Sequence, residues 1–115
     1  MKIKRVYEKP SNDDGFRVLI DRLWPRGLSK ESAAIDEWDK DTAPSTELRK
    51  WFNHEPEKFL EFRKKYREEL LTRPNGFERL KSISKKREVT LLYAAKDENF
   101  NQAVVLKELL EEEEK

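Results

Sequence analysis

Two stretches of the chain are apolar almost throughout. Residues 16–21 carry Phe16, Val18, Leu19 and Ile20, and residues 89–95 carry Val89, Leu91, Leu92, Tyr93, Ala94 and Ala95. A strand with no polar face is covered on both sides, the pattern of a parallel sheet inside an α/β domain. A weaker strand is expected over residues 2–7, with Ile3 and Tyr7 on one face. The turn-formers Pro10, Ser11, Asn12, Asp13, Asp14 and Gly15 end it. About eight residues then separate it from the next strand, too few for an ordinary helical crossover. A loose hairpin, or a single helical turn between parallel strands, satisfies that length.

Between and after the strands the apolar period lengthens to that of helices. Ser29 is a candidate N-cap for a short helix running through Trp38, with Ile35 and Trp38 as its apolar edge. Ser45 caps the next, with Glu47 in its first turn, Leu48, Trp51 and Phe52 as its stripe, and Asn53 as a left-handed C′ residue. Pro56 opens a third, in which Phe59, Phe62, Tyr66 and Leu70 recur at helical spacing to about residue 71. Pro74, Asn75 and Gly76 read as a turn, and Asn75 with Glu78 as a capping box before Phe77, Leu80 and Ile83. Lys85, Lys86 and Arg87 form a solvated connection. A last helix from about Asn99 carries Phe100, Ala103, Val104, Val105, Leu106, Leu109 and Leu110, apolar around most of its circumference. The acidic residues 111–114 oppose its dipole and are expected to fray. The expected fold is one α/β domain over residues 1–115, a small mostly parallel sheet of three or four strands with helices packed around it. There is no internal repeat and no linker.

Composition sharpens this picture. Charged residues make up 43% of the 115 and hydrophobic ones 36%, proportions that alone suggest disorder. Three tryptophans, six phenylalanines and three tyrosines fall at regular spacings among those charges, however, so a compact core under a charged shell is expected. With 25 Lys and Arg against 24 Asp and Glu, the net charge of +1 exerts no general pull on nucleic acid or anionic lipid. Nucleic acid is therefore disfavoured as a partner. The absence of cysteine removes disulfides, thiol nucleophiles and Cys-based metal sites, and a single histidine, His54, removes a His-rich one. No Gly-x-Gly-x-x-Gly or P-loop sequence is present, and no cofactor is expected. Met1, Lys2, Ile3, Lys4 and Arg5 do not make a signal peptide, and no apolar run approaches membrane-spanning length. A soluble cytoplasmic protein with no membrane partner is expected.

The two buried strands end alike, in Ile20-Asp21-Arg22 and Ala95-Lys96-Asp97. If they lie parallel and adjacent, these ends share one edge of the sheet, near helix N-termini. Two arginines and a lysine there suit a small anion, phosphate or carboxylate. Arg22, Arg26 and Lys96 are the anion-binding candidates. Asp21, Trp24, Pro25, Gly27 and Asp97 support them, with Asp21 or Asp97 orienting the anion or holding a cation. The competing reading is that the two aspartates cap helices or pair with Arg22, Arg26 and Lys96 and bind nothing. Metal binding falls to carboxylates, and Asp21 with Asp97 is the pair to test for magnesium, although no metal is expected. An aromatic before proline favours a cis bond at Trp24-Pro25, while burial is the commoner fate of a tryptophan. His54 is of the residue type that can serve as an acid or base, but it sits at a helix junction, where capping is the simpler role. The alternative function is a non-catalytic interaction or regulatory module, with Trp24, Trp38 and Trp51 contributing to a partner surface.

Four stretches, taken together, resemble a known family. They are residues 18–30 (Val-Leu-Ile-Asp-Arg-Leu-Trp-Pro-Arg-Gly-Leu-Ser-Lys), 43–52 (Ala-Pro-Ser-Thr-Glu-Leu-Arg-Lys-Trp-Phe), 91–97 (Leu-Leu-Tyr-Ala-Ala-Lys-Asp) and 103–106 (Ala-Val-Val-Leu). In order and spacing the chain resembles the YeaO-like proteins, small bacterial and archaeal proteins classed as a domain of unknown function. The resemblance lends weight to Asp21, Arg22, Trp24, Pro25, Arg26, Gly27, Lys96 and Asp97, and implies little about activity. Longer relatives carry cysteine in the last strand and Cys-His in the helix after it. Here those places read Tyr93, Asn101 and Gln102, so thiol chemistry does not transfer. The chain also departs at Asn53, where glycine is usual, and at Glu55, where aspartate would cap better. Phe100 stands where histidine is frequent, which argues further against hydrolysis.

Overall fold

The computed structural model describes residues 1–113. Four strands form one sheet: β1 (Lys2–Arg5), β2 (Phe16–Leu19), β3 (Glu37–Trp38) and β4 (Val89–Tyr93). Their order is β1-β4-β2-β3 and every pairing is parallel. β4 is central, pairing Lys2 with Thr90 through Arg5 with Tyr93 on one side, and Phe16 with Val89 through Leu19 with Leu92 on the other. All five of its residues are buried, which is why that stretch carries no polar alternation. β1 and β2 are not neighbours. A single 3-10 turn, Asn12–Asp14, carries the chain across the slot that β4 fills. At the end of that turn Gly15 has φ +67°, and a side chain there would collide with the Glu88 carbonyl.

The helices are α1 (Lys30–Ala33), α2 (Thr46–Phe52), α3 (Phe59–Thr72), α4 (Pro74–Lys86) and α5 (Gln102–Glu113). Ser29 caps α1, accepting from the Ser32 N–H at 3.0 Å. The helix does not run through Trp38, because Ala34 turns left-handed at φ 48° and the chain re-enters the sheet as β3. Arg17 of β2 organises this stop. Its guanidinium donates to the carbonyls of Ala33 (2.9 Å) and Ala34 (3.0 Å), and its backbone N–H donates to the Asp36 carboxylate at 2.9 Å. Ser45 and Asn53 bound α2 as expected, with Asn53 at φ 47°. Pro56 opens a 3-10 turn, Pro56–Lys58, that leads into α3.

Residues 74–76 are not a turn. Pro74 is the first residue of α4, no side chain caps that helix, and the Asn75–Glu78 box does not form. Gly76 is there for close approach, since a Cβ on it would strike the Thr42 hydroxyl. α5 begins at Gln102 rather than Asn99, because the Asp97 carboxylate accepts from the N–H groups of Asn99 (2.9 Å) and Phe100 (3.0 Å) and holds them in a turn. Asn101 then caps α5, accepting from the Val104 N–H at 3.1 Å. Residues 111–113 are helical, and Glu114 of the acidic run lies outside the described residues.

The two faces of the sheet are covered unequally. One carries the main core, in which Val18, Ile20, Leu91 and Tyr93 meet apolar side chains of α2, α3, α4 and α5. The other carries a small cluster of Val6, Leu19, Ala33 and Leu92, edged by Trp24 and Trp38. Among the described residues no helix is long and apolar enough to cross a membrane.

Candidate functional site

β2 and β4 lie side by side, yet their chains leave in opposite directions. β2 leads to α1 over the thin face, and β4 leads to α5 over the thick one. That divergence is a topological switch point, where open parallel sheets keep a crevice beyond their strand ends. A cavity of about 320 Å³ lies there.

Its charged lining comes from three places. Asp21, Arg22 and Arg26 follow β2, Arg49 comes from α2, and His54 from the junction after α2. Asp21 is engaged within the protein. One carboxylate oxygen accepts from the Ala94 N–H at 2.8 Å and the other from the Gln102 side chain, which also donates to the Ile20 carbonyl at 3.2 Å. The Asp21 backbone carbonyl accepts from the Trp38 indole at 2.6 Å. Asp21 therefore ties the two strand ends and α5 together. Burial raises its pKa above the ordinary carboxyl range, against the Ala94 and Gln102 hydrogen bonds and the charges of Arg49 and His54, which lower it.

The arginines are less committed. Arg22 donates through Nε to the Pro44 carbonyl at 2.9 Å, which leaves its terminal nitrogens for other partners. Arg26 is exposed, and its backbone carbonyl is held by the Tyr7 hydroxyl at 2.8 Å. Arg49 Nε is buried with no hydrogen-bond partner among the described residues. A buried unpaired donor on a charged group is costly, which makes such an atom informative in a native fold. His54 has φ 56°, directly after Asn53 at φ 47°, so two consecutive left-handed residues turn the chain at the cavity edge.

Apolar groups supply much of the rest of the wall. Phe52 and Phe62 stack with centroids 4.3 Å apart, and Phe100 stands edge-on to Phe59 at 5.1 Å. Phe52, Phe62 and Phe100 all line the cavity, as do Leu23, Trp24 and Pro25. No peptide bond among the described residues is cis, so Trp24-Pro25 is trans.

The strand-end residues named from sequence separate into two groups. Asp21, Arg22, Trp24, Pro25 and Arg26 line the cavity, whereas Gly27, Lys96 and Asp97 do not. Gly27 supplies a turn at φ +74° with open space around it. Arg5 of β1 takes the carbonyls of Ala94 (3.3 Å) and Ala95 (2.9 Å), and Lys96 beyond them is exposed. Asp97 is occupied in capping the turn before α5. Asp21 and Asp97 thus sit in separate hydrogen-bond networks, and among the described residues no group of three or more His, Asp or Glu is placed to hold a metal ion. Sequence reasoning missed Arg49, though a weak signal existed: it flanks the buried stripe of Leu48 and Phe52 on α2. Asn101 and Gln102 also line the cavity, and Gln102 holds Asp21.

The tryptophans are engaged internally. Trp24 and Trp38 pack edge to face with centroids 5.4 Å apart, and the Trp24 indole donates to the Leu28 carbonyl at 2.6 Å. Trp51 lies under the ammonium groups of Lys65 (4.1 Å) and Lys58 (5.2 Å).

A parallel four-stranded sheet with a strand-end cavity lined by arginines and aromatics, and no thiol, describes the class. Within it, a family model described as "Inactive DUF488-N3 subclade" matches residues 1–115, and the chain belongs to this YeaO-like family. It is 47% identical over 110 residues to the uncharacterized protein YeaO of Escherichia coli strain K12, covering 96% of each chain. Uncharacterized proteins of Mycobacterium bovis and Mycobacterium tuberculosis are 41% identical over 110 residues, 96% of this chain and 92% of theirs. No solved structure matches it.

Proposed function

We propose that the protein binds a small anion, a phosphate or carboxylate, in the strand-end cavity, and that it does so without catalysing a reaction. The observation that carries this reading is the imbalance of charge in the cavity. Arg22, Arg26 and Arg49 line it against one acid, Asp21, whose two oxygens are already engaged by Ala94 and Gln102. Guanidinium groups with free terminal donors are suited to an oxyanion. The description of the subclade as inactive, and Asn101 and Gln102 where longer relatives place Cys-His, support a binder over a catalyst. Lys96 stands outside the set.

Titration calorimetry with phosphate and acetate tests the reading. Losing one charge-assisted hydrogen bond costs about 1.5–3 kcal/mol, so Arg22→Ala is expected to weaken binding by roughly tenfold or more. Lys96→Ala is expected to leave it unchanged. Equal loss in both variants, or no heat with phosphate, acetate or any of their organic esters and homologues, overturns the reading.

A further inference from the structure

We infer that the anion carries a flat aromatic body, so that the ligand class is an aryl carboxylate or aryl phosphate rather than an inorganic or sugar-borne anion. This rests on the anion-binding reading above and goes further in assigning the other half of the cavity.

The cavity is chemically two-sided. Arg22 and Arg49 supply donors, and the buried, unpartnered Nε of Arg49 marks a guanidinium whose hydrogen bonding the protein alone does not complete. Much of the remaining wall is apolar, and the Asn101 and Gln102 side chains that interrupt it are engaged within the protein, Asn101 with Asp97 and Val104 and Gln102 with Ile20 and Asp21. Five large apolar side chains are exposed among the described residues, and three of them, Tyr7 (41%), Leu23 (61%) and Phe100 (38%), line this one cavity. Exposed apolar groups gathered in one place mark a surface that binding covers, whereas scattered ones need no explanation. Phe100 is also held in orientation by Phe59 at 5.1 Å, so its ring meets a ligand already ordered. An inorganic phosphate would leave Tyr7, Leu23 and Phe100 wet. A sugar would bring hydroxyls to a wall that has few partners for them. An aromatic ring satisfies that wall through area and ring–ring contact, while its oxyanion reaches the arginines. The volume of about 320 Å³ lies at the small end of ligand pockets, in keeping with one ring and one head group.

The experiment compares phosphate, phenyl phosphate, acetate, benzoate and cyclohexanecarboxylate by calorimetry on wild type, Phe100→Ser and Arg49→Met. Circular dichroism confirms that each variant is folded. Phenyl phosphate and benzoate are expected to bind at least about tenfold more tightly than phosphate and acetate. Phe100→Ser is expected to remove most of that margin, and Arg49→Met to weaken every anion. The tighter of the two aryl probes identifies the head group. Equal binding of phosphate and phenyl phosphate overturns the aromatic assignment while the anion reading stands. Equal binding of benzoate and cyclohexanecarboxylate also overturns it, in favour of any apolar body. No binding by any probe overturns both.

Discussion

Asp14 and Asp21 are both drawn into the fold, with opposite consequences for the response to pH. Burial pushes the Asp14 carboxyl up, but the Ser11 N–H, Lys4 and Arg17 outweigh it and hold the group below its ordinary value. A depressed carboxyl contributes stability that is present above the unfolded pKa of about 3.9 and is lost as pH falls through the folded value. For Asp21, raised by burial, the sign reverses. Its contribution is full below the unfolded pKa and is lost as pH rises through the folded one, so its ionised form burdens the native state at neutral pH. Carbon-detected NMR titration is expected to find Asp21 above, and Asp14 below, the ordinary aspartate range. The reverse order would remove the assignment of Asp21 as the buried tie between strand ends. Asp21, Arg22 and Arg26 were legible at this scale because they end a buried strand in a short, turn-rich run. Lys96 was not, because the chemistry that holds the segment after β4 belongs to Arg5, ninety residues from Ala95, and no local pattern announces that contact.

Elements that pack by a single stripe were the easiest to foresee. α3 places Phe62, Tyr66 and Leu70 in the core as their spacing requires, and Ser45 and Asn53 bound α2 because cap chemistry is local. The failures share a cause. α1 stops at Ala33 because a buried arginine on a neighbouring strand takes its last carbonyls, and Gly76, which reads as a turn residue, is instead helical because Thr42 lies too close for any side chain there. Both decisions come from distant partners. Ala34, left-handed and exposed, is strained in a way that glycine is not. Ala34→Gly is therefore expected to stabilise the protein by about 0.5–1 kcal/mol, seen as a higher midpoint in urea. A lower midpoint would mean that the Arg17 contacts depend on the alanine.

On the scale of the whole molecule, the sheet separates a thick layer of four helices from a thin one built on α1, Trp24 and Trp38. Parallel pairing and an α/β class were legible from the two unbroken apolar strands, and the strand order was not. The order depends on which slot β4 occupies, and that slot is filled by uniform apolar packing that any neighbour would satisfy. The cavity opens at the place where the two layers part.

β4 is the last strand along the chain and the middle strand of the sheet. Until residues 89–93 have been made, β1 has no neighbour at all and β2 is paired on one side only. A nascent chain halted before Val89 therefore holds two bare strand edges and no closed core, since the contacts that complete it are long-range in sequence. Ribosome-bound chains ending near residue 86 are expected to be cut readily by protease throughout, and chains with all 115 residues clear of the exit tunnel to resist it. Protection that grew stepwise with length would show that the segment before β4 folds alone. The position of one strand thus sets the expectation that residues 1–88 stay open to protease until the strand that joins them has been made.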